Sequence, residues 1–595
     1  FGGRVLPAPE PVHGEISHIR HRHPLLFAGI PQDFAAVRYH SLLVDPDLPA
    51  CLEAIAWTPE GLLMGLAHRH RPLWGIQFHP ESICTEHGET LVRNFLDQVP
   101  RRVQVAVGPL PKPAAPRWVS AAPAAGRVFH WRRLAHAPPA EGVFGHLFAD
   151  CPLAFWLDTA LPGPDARYSY MGQARTALRY DAGSQELQLE NATGTQTRRQ
   201  RLFDFLRACP APAAGGDAPF PFRGGWVGYL GYEFRAESAG LPVPRSPHPD
   251  AVLLEADHFL VFDHTDEAVY LAFLGDPDEA AFWFDQVEGQ LGHLDELPAV
   301  TPAAPDQPFS FRLRRSRRQY RHDIGRCLEA IRAGESYELC LTNLLEGPAL
   351  ADPWSAYRVL RHLNPAPYAA FLRLGDLCLL CSSPEQFLRV DAQGQVSTRP
   401  IKGTRPRGEN PSADEALRQE LGTAGKDRAE NLMITDLLRH DLGRVCRTGS
   451  VVVPSLMAVE TFAGYHQLVS TIQGRLRPGL VGLDCLQAAF PGGSMTGAPK
   501  LRSMELLDQI EGGPRGPYSG ALGFLGADGS LELNIIIRTA VVSRKGTSIG
   551  AGGAIVARSE PEAELAELLL KARPVLDALT FAQTGRRVVS PGEIE

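Results

Sequence analysis

One lysine in the middle of this 595-residue chain has the surroundings of a candidate nucleophile. Lys402 lies in an extended, glycine-containing stretch that reads RPIKGTRPRG. Three arginines of the same stretch, Arg399, Arg405 and Arg407, are expected to lower the pKa of Lys402, because neighbouring positive charges disfavour the protonated amine. A neutral primary amine can attack an electrophilic carbon and form a covalent intermediate. A solvated basic loop is the alternative for this stretch taken alone.

Acidic residues on a predicted helix could bind a metal ion. The apolar residues of KDRAENLMITDLLRHDLGR, residues 426–444, recur with helical spacing. Asp427 and Glu430 are three residues apart and therefore share a face of this helix, and Asp436 lies further along it. Magnesium commonly takes one or two carboxylates from a protein and completes its octahedron with water and substrate oxygens. A solvated helix face is the alternative interpretation.

A second predicted helix carries another acidic stripe. It begins at Ser559, because Ser559 and Glu562 have the spacing of a capping box, and it ends at Pro574. Three charged residues at positions i, i+3 and i+7 fall on one stripe of this helix: Glu564, Glu567 and Lys571. Carboxylates from two helices could therefore approach one metal ion.

Other segments have the composition of an anion-binding site. Residues 491–500 and 550–554 are glycine-rich, and the first segment ends in Lys500, so their backbone N–H groups could receive a substrate carboxylate. Arg538 is predicted inside the apolar strand 533–540, where a guanidinium ion needs an anionic partner such as a bidentate carboxylate. Ordinary turns and a buried structural ion pair are the alternatives.

The composition is typical of a soluble globular protein with several domains. Apolar residues make up 44% of the chain and charged residues 21%, and the net charge of -8 argues against nucleic-acid binding. The ten cysteines are scattered, which predicts a reducing, cytoplasmic environment. Cys378 and Cys381 lie in an apolar run and are interpreted as part of a buried strand. The sequence contains no apolar run long enough to span a membrane.

Proline- and alanine-rich stretches divide the chain. Residues 1–99 mix short strands with a closing helix, and residues 100–127 form a predicted linker. Strand patterns dominate residues 128–308, whereas strands mix with longer amphipathic helices in residues 309–585. This mixture favours an α+β fold for the carboxyl-terminal part.

Motifs in the carboxyl-terminal half resemble those of the chorismate-utilising enzymes. They occur in the order SSPEQF, RPIKGTRPRG, KDRAENLMITDLLRHDLGRV, PGGSMTGAPK, GPYSGALGF, NIIIRTAVV and SEPEAELAELLLKA. Together they cover nearly all of residues 309–580, and segments 155–158, 168–172 and 224–233 resemble the amino-terminal part of members that aminate chorismate. The resemblance implies an α+β fold of large antiparallel sheets with helices.

The resemblance assigns catalytic roles to two residues. Lys402 would be the nucleophile at ring C2, and Glu385 would be the general acid that protonates the departing C4 hydroxyl, which is a poor leaving group unless protonated. Ammonia would then add at C4 and expel Lys402. Family members that activate water with a lysine carry it at the position of Glu338 in this chain, so the resemblance favours amination.

The resemblance also implies residues that bind metal and substrate. Glu430 and Glu567 match magnesium ligands, with Asp427 and Glu564 alongside, and the Mg²⁺ ion would hold the ring carboxylate. The remaining matches are positions that contact the substrate's carboxylates or its ring: Thr404, Tyr518, Arg538, Lys571 and the amides of Gly552 and Gly553.

Two questions stay open at the level of the sequence. Many relatives carry histidine at the position of Gln467, so either the preceding His466 takes over its role or that role is dispensable for amination. The activity also has alternatives. Within the family these are anthranilate and 2-amino-2-deoxyisochorismate synthesis, and outside it a non-catalytic regulatory scaffold.

The amino-terminal segment resembles the closing half of an α/β class I glutamine amidotransferase. The similarity rests on RYHSL at 38–42 and GIQFHPES at 75–82, where His79 would be the base and Glu81 its orienting carboxylate. The cysteine of such a triad lies on a GxCxGH turn, which we expect in a missing portion that precedes Phe1. The expected partners are chorismate, ammonia or glutamine, and this missing portion, but neither nucleic acid nor a membrane.

Overall fold

The computed structural model describes residues 1–98, 127–163, 166–209, 217–292, 294, 297–302, 309–462 and 465–587. Nearly all of the predicted linker at 100–127 lies outside these residues. The described residues form an amino-terminal unit and a larger body built on two long antiparallel sheets.

The amino-terminal unit is an antiparallel sheet with a helix packed against it. Its elements are β1 (Val5–His21), β2 (Phe34–Val44), β3 (Leu52–Trp57), β4 (Leu63–His68), β5 (Trp74–Ile76), β6 (Phe78–His79) and α1 (Gly88–Gln98). The strands lie in the order β5-β4-β3-β1-β2-β6. Ile19, Phe34 and Phe78 of the sheet and Leu91 of α1 belong to one apolar core. The predicted closing helix is therefore confirmed.

The larger body begins with a mainly β-stranded region. Its elements are β7 (Val128–Arg133), α2 (Ala140–Leu147), β8 (Leu153–Asp158), β9 (Tyr168–Gln173), β10 (Ala177–Asp181), β11 (Glu186–Asn191), β12 (Gly194–Arg199), α3 (Leu202–Ala208), β13 (Gly225–Leu230), α4 (Arg235–Ser238), β14 (Ala251–Ala256), β15 (His258–Asp263), β16 (Ala268–Gly275) and α5 (Pro277–Leu291).

Longer helices join the strands from residue 309 onward. The elements are β17 (Arg312–Leu313), α6 (Arg317–Arg332), β18 (Glu338–Gly347), α7 (Pro353–Leu363), β19 (Tyr368–Leu374), β20 (Leu377–Ser383), β21 (Gln386–Val390), β22 (Gln395–Arg399), β23 (Ile401–Pro406), α8 (Pro411–Thr423), α9 (Gly425–Gly443), β24 (Val452–Thr461), β25 (Tyr465–Arg475), α10 (Gly482–Ala489), β26 (Gly497–Ala498), α11 (Lys500–Glu511), β27 (Ala521–Gly526), β28 (Leu531–Ile535), β29 (Thr539–Ser543), β30 (Gly546–Ile555) and α12 (Pro561–Thr584).

Each of the two large sheets joins a block of strands from residues 128–308 to a block of strands from residues 309–585. One sheet has the order β12-β11-β10-β14-β13-β27-β28-β21-β22-β25-β23, and β24 pairs with β25. The other has the order β17-β18-β30-β29-β20-β19-β8-β9-β15-β16-β7, and β26 pairs with β18. Because β13 pairs with β27 and β8 with β19, residues 128–308 and 309–585 fold as one packing unit.

Strand β20 shows how the two sheets and the helices share a core. Leu379 and Cys381 pack between the sheets, whereas Cys378 and Leu380 belong to the cluster that includes helices α6, α7 and α12. Alternate residues of a strand point to opposite faces, so one face meets the other sheet and the other face meets the helices. Both cysteines are buried and free, which confirms the predicted buried strand.

Helix α12 differs from its prediction at both ends. Ser559 is not a capping residue; its hydroxyl donates to Glu564 Oε1 at 2.6 Å and accepts from the Val556 amide at 3.1 Å. Pro574 lies inside the helix, which continues to Thr584 because its apolar face packs into the core beside α7. Among the described residues, no helix has the length and apolar character that a membrane span requires.

The amino-terminal unit docks on helix α9 through one carboxylate. Asp436 accepts hydrogen bonds from the Tyr39 hydroxyl at 3.2 Å, from the Ile83 amide at 3.0 Å and from the Ser82 hydroxyl. Arg439 donates to Asp436 at 2.6 Å and to the Glu81 carbonyl at 2.9 Å. Asp436, predicted on the acidic helix, is therefore an interface residue.

Replacing Asp436 with alanine should loosen this docking. Buried donors that lose their acceptor each cost about 1–3 kcal/mol, so residues 79–86 are expected to exchange their amide hydrogens faster in Asp436→Ala. Hydrogen exchange followed by mass spectrometry measures this. Asp376→Ala is the control, because Asp376 is 64% exposed and pairs only with exposed Arg544. Equal exchange of residues 79–86 in both variants would contradict the anchoring role.

Candidate active site

Lys402 lies in a bulged segment of strand β23. Ile401 pairs with Val469 and Thr404 pairs with Gln467 of β25, and the register shifts between these two pairs. Gly403, at the shift, has a φ of 86°, which favours glycine and bends the strand. The Lys402 ammonium group donates to Glu338 Oε1 at 2.8 Å, and the two side chains are 10% and 0% exposed. The predicted nucleophile is therefore buried in an ion pair.

The arginines near Lys402 do not act on it as expected. Each pairs with carboxylates of neighbouring elements: Arg399 with Glu460, Arg405 with Glu420 and Asp427, and Arg407 with Asp414. Burial would lower the pKa of Lys402, but the carboxylates of Glu338 and Glu430 outweigh burial and raise it above the ordinary value. The expectation of a lowered pKa was wrong, and Lys402 is an ammonium ion in this structure.

Glu385 has the environment of a general acid. Glu385 lies in the connection between β20 and β21 and is 6% exposed. Burial raises the pKa of Glu385 to about 7, against the opposing effects of the Ser494 hydroxyl and the Lys402 ammonium group. A carboxyl group with this pKa is partly protonated near neutral pH and can donate a proton to a leaving group.

Three glutamates from α9 and α12 form an acidic group in which Glu430 and Glu564 are buried and Glu567 is partly exposed. Glu430 is 8% and Glu564 1% exposed, and Glu430 Oε1 and Glu564 Oε2 have no hydrogen-bond partner among the described residues. A Cβ at Gly553 would lie 3.1 Å from Glu564 Oε2 and 3.7 Å from Glu567 Oε1. Glycine therefore keeps strand β30 clear of both carboxylates. Unpaired carboxylate oxygens of this kind suit a hard divalent cation.

The charges of this group perturb one another. Burial and the neighbouring Glu338 carboxylate raise the pKa of Glu430 well above its ordinary value. Burial would also raise the pKa of Glu567, but the ammonium groups of Lys571 and Lys426 lower it. Burial therefore disfavours the charged form of Glu430, whereas the lysines stabilise the charged form of Glu567.

Two lysines form ion pairs with carboxylates of this group. Lys426 donates to Glu564 Oε1 at 3.0 Å, and Lys571 lies 2.7 Å from Glu567 Oε1. Among the described residues, no group of three or more His, Cys, Asp or Glu side chains has the spacing of a metal site. The carboxylate donors are thus present, and lysines of the chain itself pair with Glu564 and Glu567.

Asp427 does not belong to this acidic group. Its carboxylate accepts from Arg405 at 2.9 Å and lies against Gly403, where a Cβ would be 2.8 Å from Asp427 Cγ. Asp427 and Glu430 share a face of the helix by spacing, but the first turn of α9 lies against β23. The prediction of Asp427 beside the metal ligands was therefore wrong.

Arg538 is the clearest candidate for holding a substrate carboxylate. The predicted strand 533–540 is interrupted, since β28 ends at Ile535 and β29 begins at Thr539, and Arg538 between them has a φ of 49°. Burial lowers the pKa of Arg538, opposed only by Tyr465. No carboxylate of the described residues pairs with its guanidinium group. The alternative of a structural ion pair is therefore wrong.

The other predicted substrate contacts lie on two neighbouring elements. Tyr518 precedes β27 and is buried near Cys340 and Arg515. Gly552 and Gly553 lie inside β30, paired with Thr342 and Leu341 of β18, and do not form the loop after a strand that the composition suggested. Lys571 donates to the Gly552 carbonyl at 3.1 Å, which links α12 to this strand.

His466 cannot replace the histidine that many relatives carry. Its Nδ1 lies 2.8 Å from the Thr461 hydroxyl and its Nε2 lies 3.0 Å from Asp414, so both ring nitrogens are engaged. Gln467 is buried, opposite the exposed Thr404, and its Oε1 has no hydrogen-bond partner among the described residues. The residue with free hydrogen-bonding capacity at this position is therefore Gln467.

The glycine-rich segment 491–500 does not offer Lys500 to a ligand. The Lys500 ammonium group pairs with Asp441 and donates to the carbonyls of Ala489 and Pro491 at 2.9 and 3.0 Å. The segment instead places Ser494 against Glu385. The expectation that Lys500 binds a substrate carboxylate was wrong, because its ammonium group is engaged by Asp441 and by backbone carbonyls near the start of the segment.

Sequence reasoning missed the partners of the lysines. Glu338 was noted only as the replacement of a lysine, although a glutamate inside the apolar run YELCL signals a buried ion pair. Lys426 gave no signal, since a lysine at the start of an amphipathic helix is normally solvated. Nothing in the sequence indicated that Ser494 contacts Glu385, since Ser494 lies in the segment interpreted as an anion-binding loop. These residues become visible only when the strands and helices are assembled.

His79 and Glu81 form the predicted pair in the amino-terminal unit. His79 Nδ1 lies 2.8 Å from Glu81 Oε1, and this hydrogen bond lowers the pKa of Glu81. The Tyr39 ring lies 5.0 Å from His79 and 5.9 Å from Tyr337, measured between centroids. A cavity of about 370 Å³ is lined by these four residues together with Asp436 and Ala498. Ala498 pairs with Glu338 across β26 and β18, so the cavity wall includes the residue opposite the partner of Lys402.

Comparisons with known proteins match this geometry. The family model described as chorismate binding enzyme matches residues 156–577, and that of glutamine amidotransferase class-I matches residues 1–99. The chain belongs to the chorismate-binding enzyme family. It is also 44% identical to the aminodeoxychorismate synthase of Streptomyces pristinaespiralis, over 98% of this chain and 85% of that protein. The aminodeoxychorismate synthase of Arabidopsis thaliana, a chloroplastic protein, is 35% identical over 98% of this chain and 80% of that protein.

Solved structures of this family have the same fold. Anthranilate synthase component I from Streptococcus pneumoniae is 28% identical, with a TM-score of 0.61 over 70% of this chain and 93% of that chain. The isochorismate synthase MenF of Escherichia coli shares only 16% identity, with a TM-score of 0.57, and supports the fold alone. The predicted α+β fold of large antiparallel sheets, preceded by an amidotransferase segment, is thus confirmed.

Removing the Glu338 carboxylate should destabilise this member of the family. In Glu338→Gln the Lys402 ammonium ion is left buried without its partner, which costs about 3–5 kcal/mol, so the melting temperature is expected to fall by roughly 5 °C or more. Differential scanning fluorimetry measures it. Glu346→Gln is the control, because Glu346 pairs with Arg314 at the surface. Equal melting temperatures for the two variants would contradict the role of the pair.

Proposed function

We propose that this chain is an aminodeoxychorismate synthase, which converts chorismate and ammonia to 4-amino-4-deoxychorismate for p-aminobenzoate formation. The observation that carries the proposal is the buried amine of Lys402, held by Glu338 in a chain of the chorismate-binding family. Full-length similarity to proteins named aminodeoxychorismate synthase supports it.

In the first step the amine of Lys402 adds to C2 of the chorismate ring. Because Lys402 is charged, it must first lose a proton, and Glu338 Oε1 at 2.8 Å is placed to accept it. As the nitrogen–carbon bond forms, the ring double bonds shift and the C4–oxygen bond breaks. Glu385 donates the proton with which the hydroxyl leaves as water.

In the second step ammonia displaces Lys402 from the ring. Its nitrogen bonds to C4, the double bonds shift back, and the bond between C2 and the Lys402 nitrogen breaks. Glu385 takes back a proton from the ammonium group that has added at C4, and Glu338 returns its proton to Lys402. The reaction therefore replaces an alcohol with an amine and leaves both acids and the lysine as they began.

We propose that Glu430, Glu567 and Glu564 hold Mg²⁺. Two observations support this set: the unpartnered buried oxygens of Glu430 and Glu564, and the clearance that Gly553 leaves beside Glu564 and Glu567. When bound, the ion would neutralise and hold the ring carboxylate of the substrate. The protein's own part is to keep the oxygens of Glu430 and Glu564 buried in an acidic recess near Lys402.

Substrate positioning is assigned to residues around this recess. Arg538, which pairs with no carboxylate of the described chain, would take one substrate carboxylate in a bidentate contact. Tyr518, Lys571 and the amides of Gly552 and Gly553 would contact the other polar groups. Thr404, across the β23–β25 pair from Gln467, would contact the ring.

We propose that residues 1–99 belong to the supply of ammonia from glutamine. His79 and Glu81 would act as base and orienter, beside the cavity that Tyr39, Tyr337 and Ala498 line. Residues 100–127 would be the linker to the synthase, with 128–308 as its amino-terminal region and 309–585 as its catalytic region. We also propose a cytoplasmic location.

Product identity tests this function. Incubation with chorismate, ammonium and Mg²⁺ is expected to give 4-amino-4-deoxychorismate, identified by chromatography and mass. Fluorescent anthranilate, or a product with its amine at C2, would overturn the assignment in favour of another aminating member of the family. No product at all would favour a regulatory scaffold.

Removing the Lys402 amine should abolish amination. Lys402→Ala lacks the nucleophile, so kcat with chorismate and ammonium is expected to fall at least about a thousandfold. Steady-state product formation measures it. Lys545→Ala, at an exposed lysine, is the control. A kcat of Lys402→Ala within about tenfold of the parent value would rule out covalent catalysis.

The pH dependence should report Glu385. Its carboxyl must be protonated to act, and with a pKa of about 7 the active fraction falls as pH rises, to about a tenth near pH 8. Ammonia-dependent kcat, corrected for the free-ammonia concentration, is therefore expected to decline above about pH 7. Glu385→Gln should lose this decline together with most activity. A rate that keeps rising to pH 9 would contradict the assignment.

A further inference from the structure

The acidic recess contains a cation supplied by the chain itself. Lys426 lies in the first turn of α9, four residues before Glu430. Its ammonium group donates to Glu564 Oε1 at 3.0 Å and lies 3.9 Å from Glu430 Oε1. The lysine therefore bridges the two helices that carry the acidic residues, at the place where their carboxylates come together.

The other two lysines near the recess pair with other groups. Lys402 pairs with Glu338, and Lys571 pairs with Glu567 and also donates to the Gly552 carbonyl. Lys426 is thus the cation that balances Glu564, a residue only 1% exposed. A buried carboxylate without a counter-charge is costly, so the recess needs Lys426 or another cation at this point.

Lys426 can also leave this position. Its side chain is 45% exposed, in contrast to 1% for Glu564, so the long aliphatic stem has room to turn into solvent. A lysine is a strongly hydrated point charge on a flexible chain, and it regains hydration when it leaves. Glu564 Oε2 and Glu430 Oε1, which have no partner among the described residues, face the same recess.

We propose that Lys426 is a placeholder for the divalent cation: its ammonium group occupies the recess between Glu430 and Glu564 and turns into solvent when Mg²⁺ binds. This inference rests on the metal site of the proposed function. It accounts for buried carboxylate oxygens of Glu430 and Glu564 that have no hydrogen-bond partner among the described residues although a lysine lies between the two side chains. It also makes the apparent affinity for Mg²⁺ lower than the intrinsic one, since the metal must displace the lysine.

Calorimetric titration of Mg²⁺ tests the competition directly. Lys426→Met keeps the stem and removes the charge, so its Kd for Mg²⁺ is expected to be roughly tenfold lower than that of the parent protein. Lys545→Met, which removes an exposed lysine elsewhere, should leave Kd unchanged. An unchanged or weaker affinity in Lys426→Met would overturn the placeholder. Absence of Mg²⁺ binding in the parent protein would instead overturn the metal site.

Two further measurements keep the inference testable if Lys426→Met does not fold without metal. Lys426→Arg keeps the charge and holds a carboxylate with two donors, so it should bind Mg²⁺ several-fold more weakly than the parent; equal binding would contradict displacement. Acylation of the parent protein by an amine-reactive ester, read by peptide mass spectrometry, should become several-fold faster at Lys426 when Mg²⁺ is added, while Lys545 stays constant. A constant or slower rate at Lys426 would overturn the proposal.

Discussion

The buried ion pair between Lys402 and Glu338 is the interaction on which the rest of the site depends. A lysine that is 10% exposed is not a solvated charge, and its partner carboxylate is fully buried. In the proposed mechanism the pair keeps the amine charged until Glu338 takes the proton, so the nucleophile would arise by proton transfer within the site. The surrounding arginines pair with carboxylates of neighbouring elements, such as Arg405 with Asp427 and Arg407 with Asp414.

Charge balance explains why the acidic recess is built as it is. The cations that the described residues place beside Glu338, Glu430, Glu564 and Glu567 are the ammonium groups of Lys402, Lys426 and Lys571. Burial, together with the Glu338 carboxylate, raises the pKa of Glu430. A divalent cation and a dianionic substrate entering together would bring equal and opposite charge, and Arg538 adds a further positive group. Helix α9 connects this recess to the amidotransferase segment, since Glu430 lies in its amino-terminal part and Asp436 lies near its middle.

The sequence was most informative where chemistry leaves a local pattern. The helix carrying Glu430, the strand carrying Lys402, the Cys378 strand and the His79–Glu81 pair were all predicted from spacing, composition or motif similarity. The errors lie where the outcome depends on distant segments. Arg405 finds Glu420 and Asp427 only after folding, Pro574 is tolerated because α12 is packed along its length, and Arg538 lies at a break that its apolar neighbours conceal.

Covalent capture of the substrate ring by Lys402 is the central claim, and mass spectrometry of the trapped enzyme tests it most directly. Chorismate and Mg²⁺ are added without ammonia, the mixture is quenched with acid, and the protein is weighed intact and after digestion. The account predicts a mass increase equal to chorismate minus one water on the peptide that contains Lys402, and none in Lys402→Ala. An unmodified Lys402 peptide during turnover, with full amination by Lys402→Ala, would contradict it.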